Sequence, residues 1–430
     1  MSWPAIFTGS RFAVLGLGRN GLPAARALLE MGAEVTVWDD QPASRQAASG
    51  LTLSDTLPAR LDGLVLSPGI AHRLPAAHPM AAAALAAGVP ILTDAELLFR
   101  AVRACGSAAR FVGITGTNGK STTTALVAHL LRGAGLAVAA GGNLGPAALS
   151  LPLLPHDGVY VLEMSSYMLE RIDRLRFVAA AMLNLSPDHL DRHGDMAGYA
   201  AAKGRIFANQ TAEDIAVIGT DDAPSRAMAA WLDTQPGRVV RISAADPLPG
   251  LPATLPGAHN AQNAAAALAL VAAVLGEDPP PMREALATFP GLPHRQELVG
   301  TLAGVPYIND SKATNADSTA RALACHERIV WIAGGIAKAG GIEPLAEYFP
   351  RIRRALLIGR DAPAFAETLA RHGVAHEIAH TLEQAVAQAR RLAAPGEVVL
   401  LSPACASFDQ FSGFEARGDA FRHLVAAGGA

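Results

Sequence analysis

The stretch Val112–Thr124 reads V-G-I-T-G-T-N-G-K-S-T-T-T, and its residue types suit the holding of nucleotide phosphates. Gly113, Gly116 and Gly119 free the backbone to curl, so that several N–H groups and a helix N-terminus converge on phosphate oxygens. Lys120 supplies a point charge on the β- and γ-phosphates, and Ser121 a hydroxyl ligand for Mg²⁺. Gly116, Thr117, Asn118, Gly119, Lys120, Ser121 and Thr122 are therefore the candidate triphosphate-binding residues. The spacing departs from the strict phosphate-loop pattern, whose first glycine falls where this chain has Ile114. A glycine-rich turn that binds nothing would not call for a lysine and two hydroxyl residues directly after Gly119.

Other clusters suit the same chemistry. The apolar run Val159–Leu162 ends at Glu163, and an acid at the end of a buried strand suits a Mg²⁺ ligand; capping of the next helix is the plainer alternative. Phe177–Leu185 opens onto S-P-D-H-L-D-R-H, where Asp188, His189, Asp191 and His193 crowd together. No second Cys/His cluster completes a tetrahedral zinc set, so His189 reads as a contact to a hard metal or a phosphate, or as a surface histidine. A helical segment, Y-A-A-A-K-G-R-I-F, carries Lys203. In G-A-H-N-A-Q-N, His259, Asn260 and Asn263 stand at the start of an alanine-rich helix; one Asn would be a cap, and three such residues favour nucleotide contacts.

These residues need strands that end beneath them. Phe111–Ile114 and the helical Ala125–Leu131 bracket the phosphate loop. Near the N-terminus, Arg11–Leu15 runs into G-L-G-R-N-G (Gly16, Gly18, Gly21) and a helix to about Met31, and a strand Glu34–Trp38 ends at Asp39 and Asp40. That is a dinucleotide fingerprint with an acid about 20 residues on for a ribose hydroxyl, and it serves NAD or the pyrophosphate of UDP alike. A strand Gly63–Leu66 ends in S-P-G (Ser67, Pro68, Gly69). The polar, irregular-looking Arg100–Arg110 suggests a boundary near residue 98. Gly141–Gly145, containing Asn143, reads as a turn, and the Pro/Gly-rich Phe289–Arg295 marks a second boundary. Beyond it, strands at Tyr307–Asn309, Ile329–Ala333, Ala355–Ile358 and Val398–Leu401 alternate with helices. Their ends carry N-D-S-K-A-T-N, the turn G-G-I-A-K and S-P-A-C-A-S-F-D-Q-F, whose Cys405 has no partner base nearby in sequence.

The expected fold is α/β in three domains. Residues 1–98 form a Rossmann-like domain, 99–291 a P-loop ATPase-like domain with a mostly parallel sheet, and 292–430 a second Rossmann-like domain. A chain of 430 residues, half of them hydrophobic and 17% charged, has the material for such cores. A net charge of −3 gives no electrostatic case for nucleic acid or an anionic membrane surface. The N-terminal M-S-W-P-A-I-F lacks signal-peptide features, no uninterrupted apolar run reaches ~20 residues, and Cys105, Cys325 and Cys405 suit reduced thiols. A cytoplasmic protein is expected.

Taken together, G-T-N-G-K-S-T, E-M-S-S-Y-M-L-E, D-H-L-D-R, H-N-x-x-N, G-L-P-H-R, N-D-S-K-A-T-N and L-S-P-A-C-A-S-F-D-Q-F resemble the Mur ligases over essentially the whole chain. The last two motifs resemble the D-glutamate-adding members. The resemblance implies an ATP- and Mg²⁺-dependent amide ligase of peptidoglycan precursor synthesis that joins D-glutamate to UDP-N-acetylmuramoyl-L-alanine through an acyl phosphate. Another Mur-type ligase, or one like the folylpolyglutamate synthases, is the alternative.

By the same resemblance, Gly18, Arg19, Asn20, Asp39, Ser67, Gly69 and Asn143 hold the UDP substrate. Lys120, Glu163, His189 and Lys203 are catalytic, and Ser121, Glu163, Lys203 and His189 serve one or two Mg²⁺ ions, Lys203 as a carbamate. Asn263, Arg295, Asp310 and Lys312 contact ATP, and Thr314, Lys338, Ser407 and Phe414 form the D-glutamate pocket. The C-terminal domain is implied to close over the site with the amino acid. The family's acid in the turn before Lys338 is replaced here by Ile336 and Ala337, which puts that lysine's role in question.

Overall fold

The computed structural model describes residues 3–143, 145–246, 248, 250–276, 281–338 and 340–427. It is a mixed α/β fold with largely parallel sheets, in two compact units: residues 1–250 with 261–287, and 251–260 with 288–430.

The first unit holds two sheets. In one the strand order is Thr52–Leu53, Glu34–Trp38, Arg11–Leu15, Gly63–Leu66, Ile91–Leu92, every pair parallel. The winding reverses between Arg11–Leu15 and Gly63–Leu66, so the loops after those two strands diverge and leave a crevice. The other sheet runs Arg238–Ile242, Ile215–Gly219, Ala179–Met182, Arg110–Thr115, Val159–Glu163, Val138–Gly142, again all parallel. Its central strands are buried on both faces, which is why they read as unbroken apolar runs rather than alternating ones. One continuous core joins the two sheets, from Phe12 and Val14 through Leu98 to Phe111, Tyr160 and Ile218.

The boundary expected near residue 98 falls inside a helix, Asp94–Ala104. Residues 100–104, read from sequence as irregular, are its last turn: Leu97, Leu98, Ala101 and Val102 form a buried stripe, and Arg100 and Arg103 disguise it. Glu96 on this helix is buried. It accepts backbone N–H bonds from Asp173, Arg174 and Leu175 and an ion pair from Arg100.

The second unit is built on one sheet ordered Glu297–Leu302, Val305–Asn309, Val398–Leu401, Ile329–Gly334, Ile352–Ile358, His376–His380, parallel except for the first hairpin. Gly334–Lys338 is more than the expected turn, since Ile336–Ala337 is a short strand paired antiparallel with Cys405–Ala406. Gly335 makes that pairing possible: its φ is +129°, and a Cβ there would stand 2.3 Å from the Ala406 carbonyl oxygen. Among the described residues one helix, Ala258–Leu275, is long and apolar enough to span a bilayer by composition, and half of it is buried within the protein.

Candidate active site

The first site is a cavity of about 460 Å³ at the reversal point of the N-terminal sheet. All seven residues expected there line it: Gly18, Arg19, Asn20, Asp39, Ser67, Gly69 and Asn143. Local chemistry fixes its walls. Gly21 must be glycine because a Cβ would fall 1.7 Å from the Gly16 carbonyl oxygen, and Ser67 Oγ donates to that same oxygen at 2.7 Å. The Asp39 carboxylate accepts from Leu17 N (2.6 Å) and Gln41 N (2.8 Å), one N–H on each oxygen, so it shapes the loop while it lines the cavity. Arg171, which sequence reasoning missed, is buried and donates to the carbonyls of Leu66, Ser67 and Ile70, clamping the S-P-G turn from behind.

The second site is the phosphate loop, between Arg110–Thr115 and the helix Lys120–Gly133. Gly116 (φ +146°) and Gly119 (φ +87°) lie in the left-handed region, and a Cβ on Gly119 would meet Asn263 Oδ1 at 2.3 Å. The H-N-x-x-N segment therefore sends Asn263 to the loop. His259 and Asn260 belong to the second unit instead, where Asn260 Nδ2 donates to Pro256 O and burial pushes His259 down to about 4. Asn184, another residue missed, holds the loop through its side chain, accepting from Asn118 N (2.9 Å) and donating to Asn118 O (3.1 Å).

Parallel register puts Glu163 opposite Ile114 on one side and Gly142 on the other. The Glu163 carboxylate is buried; it accepts from Ser121 Oγ at 2.6 Å and from Asn143 Nδ2 at 3.0 Å. A hydroxyl and a carboxylate at the head of a phosphate-binding helix are the hard oxygen donors that Mg²⁺ takes while keeping waters and phosphate oxygens as its other ligands. The donor set fits that ion.

Lys203, on the helix Met196–Gly204, arrives from the other flank and is fully buried. Its Nζ donates to Gly116 O at 2.9 Å and Thr115 Oγ1 at 3.3 Å, and Lys120 Nζ donates to the same Gly116 O at 3.0 Å. Two lysine nitrogens on one carbonyl oxygen repel if both are charged. Burial first, and the Lys120 ammonium second, hold Lys203 well below the usual lysine pKa, against the opposing pull of Asp188 and Glu163. His189 caps the helix Leu190–His193 with φ +55°, lies half-exposed 3.5 Å from Asp188 Oδ2, and packs against the Tyr167 ring. His193 is occupied structurally, bonded to Glu170 and Ser166. Among the described residues no group of three or more His, Cys, Asp or Glu is arranged to hold a metal.

The third set lies in the second unit. Arg295 lines a largely apolar cavity of about 700 Å³ with Leu292, Ile308 and His326. Lys312 Nζ sits 3.8 Å over the Phe414 ring. Ser311 Oγ donates to Phe414 O and accepts from the buried Arg417 Nε, and Arg417 also donates to Cys405 O and, at 3.5 Å, to Gly334 O, so this missed arginine ties three of the motifs together. Ser407 is buried next to the strand Cys405–Ala406, and Lys338 is exposed directly after the strand paired with it. Thr314 is half-buried just before the helix Ala316–Leu323. Burial raises the Cys405 thiol to about 12, which removes it as a nucleophile.

Asp310 gives a testable pH signature. It is buried, accepts from Ser402 Oγ (2.8 Å) and Gln296 N (3.2 Å), and burial raises it from 3.8 to about 7. Between those values the folded state keeps a proton that the unfolded chain has lost, so stability falls as pH rises through that window. Asp310→Asn does not titrate. Its melting temperature relative to wild type is expected to rise from pH 5 to pH 8, by an amount equivalent to about 3 kcal/mol at ~1.4 kcal/mol per pH unit. A difference that stays constant with pH would contradict the assignment.

Comparison with known proteins adds three findings. Residues 114–250 match the Mur ligase middle domain, and residues 294–405 the glutamate ligase domain of Mur ligases. The chain is 51% identical to the UDP-N-acetylmuramoylalanine–D-glutamate ligase of Paramagnetospirillum magneticum, covering 98% of this chain and 97% of that protein, and 48% identical to that of Rhodospirillum rubrum, covering 98% and 95%. In fold it is similar to the UDP-N-acetylmuramate-alanine ligase of Thermotoga maritima, with a TM-score of 0.63 over 97% of this chain and 99% of that one, at 19% identity.

Proposed function

The chain belongs to the Mur ligase family and is an ATP-dependent ligase of peptidoglycan precursor synthesis, and we propose that it joins D-glutamate to UDP-N-acetylmuramoyl-L-alanine in the cytoplasm. The observation that carries this reading is Asn143, which lines the N-terminal cavity and also donates to Glu163 beside Ser121. A substrate held by its UDP end in that cavity has the phosphate loop next to it. We retain the division into 1–98, 99–291 and 292–430 as UDP-substrate, ATP and amino-acid domains.

In the proposed reaction a carboxylate oxygen of the L-alanyl substrate attacks the γ-phosphorus of ATP and ADP departs. The α-amine of D-glutamate then attacks the acyl phosphate, and the tetrahedral intermediate collapses to an amide with loss of phosphate. A bare carboxylate would have to expel oxide; phosphorylation removes that barrier. Most of the work left to the protein is positioning and charge neutralisation. The loop N–H groups and Lys120 bind the β/γ-phosphates, and Asn263, Arg295, Asp310 and Lys312 serve the nucleotide. Ser121 and Glu163 would hold Mg²⁺, which neutralises phosphate charge when bound. Lys203 as a carbamate, with His189, would serve a second ion. Hydroxylamine added to enzyme, ATP and UDP-N-acetylmuramoyl-L-alanine without amino acid is expected to trap a hydroxamate of the sugar substrate; ADP release with no hydroxamate would contradict the acyl phosphate.

D-Glutamate presents two carboxylates, and the strand pairing that brings Lys338 alongside the segment preceding Ser407 supports a pocket with two sets of donors. Thr314 and Lys338 are assigned to the α-carboxylate, Ser407 and the Phe414 N–H to the side chain. Ser407→Ala removes one hydrogen bond to a charged group, roughly 1.5–3 kcal/mol. The KM for D-glutamate should rise about 10–150-fold, with the KM for ATP almost unchanged. Normal D-glutamate kinetics in both Ser407→Ala and Lys338→Ala would remove this pocket.

A further inference from the structure

We propose that Asp94 is a positioning residue that couples the occupancy of the N-terminal cavity to the Ser121–Glu163 pair, a proposal that rests on the reading of those two sites given above. Asp94 is the buried first residue of the helix Asp94–Ala104. It is not among the residues that line the N-terminal cavity, yet it holds the segment that joins the two sites. Asp94 Oδ2 accepts from Ala148 N at 2.8 Å and from Asn20 Nδ2 at 3.4 Å, and Oδ1 accepts from Thr93 Oγ1 at 3.0 Å. The same Asn20 amide donates to Gly142 O at 3.0 Å.

The loop from Gly142 is thereby pinned at both ends by one carboxylate: at Gly142 through Asn20, and at Ala148 directly. Between them, Asn143 donates its backbone N–H to Glu163 O at 2.9 Å and its side chain to Glu163 Oε1 at 3.0 Å. Close packing leaves little slack, since a Cβ on Gly142 (φ +112°) would stand 2.4 Å from the Glu163 carbonyl oxygen. A ligand that orders Asn20 and Asn143 in the cavity therefore also orders the carboxylate facing Ser121. This is a contiguous hydrogen-bonded path between two sites within one compact unit.

Position 94 calls for an acceptor oxygen. Both ends of the loop share Oδ2, which accepts from an amide NH₂ and a backbone N–H, while Oδ1 meets the Thr93 hydroxyl. Burial raises its pKa, while the donors from Thr93, Ala148 and Asn20 pull it back down. An asparagine could keep its oxygen on Ala148 N and Asn20 while its NH₂ donates to the Thr93 hydroxyl, so the change that releases both ends of the loop is loss of the oxygen, as in Asp94→Ala.

Coupling between two binding sites is reciprocal and typically amounts to about 5–150-fold in affinity. Isothermal titration of UDP, with and without saturating Mg·ADP, is expected to show at least about 5-fold tighter or weaker binding in the wild-type protein. Asp94→Ala is expected to reduce that factor to about 2-fold or less, while each ligand alone binds within about 3-fold of wild type. Thr93→Val, which removes only the Oδ1 donor, should fall between them and serves if Asp94→Ala does not fold. Wild-type protein that binds both ligands with no coupling, or coupling unchanged in Asp94→Ala, would overturn the role of Asp94 and leave the two sites standing. Failure of the wild type to bind UDP at all would overturn the reading of the cavity, and with it this proposal.

Discussion

Lys120→Ala is expected to lower turnover by about 10³-fold or more, equivalent to ~4 kcal/mol of transition-state stabilisation. In the structure the Lys120 ammonium folds back on its own loop, donating to Gly116 O (3.0 Å) and Thr117 O (2.9 Å), within reach of wherever the loop N–H groups hold phosphate. Its loss removes a charge that matters most as negative charge spreads over the transferring phosphoryl group, so kcat should fall more than the KM for ATP rises. The cavity proposed to take the UDP end is lined by other residues, and UDP affinity should be unchanged. Near-normal turnover in the variant would take the phosphate loop out of the mechanism; loss of UDP binding as well would point to misfolding instead.

Lys203→Ala is expected to be nearly inactive, about 10²-fold or more below wild type, and to regain part of its activity in acetate or formate. A buried lysine that shares a carbonyl oxygen with a second lysine is poorly placed as a cation. Depression of its pKa leaves more neutral amine, and the neutral amine is the form that adds carbon dioxide. In the proposed carbamate the nitrogen–carbon bond would form with loss of one proton, leaving an oxygen-bearing anion that would pair with Lys120 in place of repelling it and supply the hard oxygens that a lysine lacks. Lys203→Arg cannot follow this route, because arginine stays protonated, and it should be as inactive as the Ala variant. A ¹³C signal of a carbamate carbon in protein equilibrated with ¹³C-labelled bicarbonate would be lost in both variants. Full activity in Lys203→Ala would refute the role.

Motifs whose chemistry is local were legible in the sequence. The phosphate loop, the G-x-G-x-x-G turn and the S-P-G strand end each consist of residues that must be neighbours in the chain, and each lies on the strand and helix expected for it. The residues that position them were not legible. Arg171 reaches back about a hundred residues to the carbonyls of Leu66, Ser67 and Ile70, and Arg417 joins Ser311 to Cys405. Neither stands in a pattern that a local reading can pick out. Asp94 opens a helix whose apolar stripe was obscured by Arg100 and Arg103, so residues 100–104 were read as irregular though they continue that helix. The strand Ile336–Ala337 was read as a turn because two residues carry no periodicity; its pairing partner lies some seventy residues on. For Asp39, the spacing did not reveal that its oxygens also accept from the backbone N–H groups of Leu17 and Gln41.

The measurement that tests the central claim most directly is ADP release from ATP and UDP-N-acetylmuramoyl-L-alanine across a panel of D- and L-amino acids, with the product identified by mass. The account predicts that D-glutamate alone in the panel drives stoichiometric release of ADP and phosphate and a product heavier by one glutamyl residue. Equal turnover with L-alanine, a diamino acid or L-glutamate would place the chain elsewhere in the family. ADP release that no amino acid changes would contradict the ligase reading of these sites.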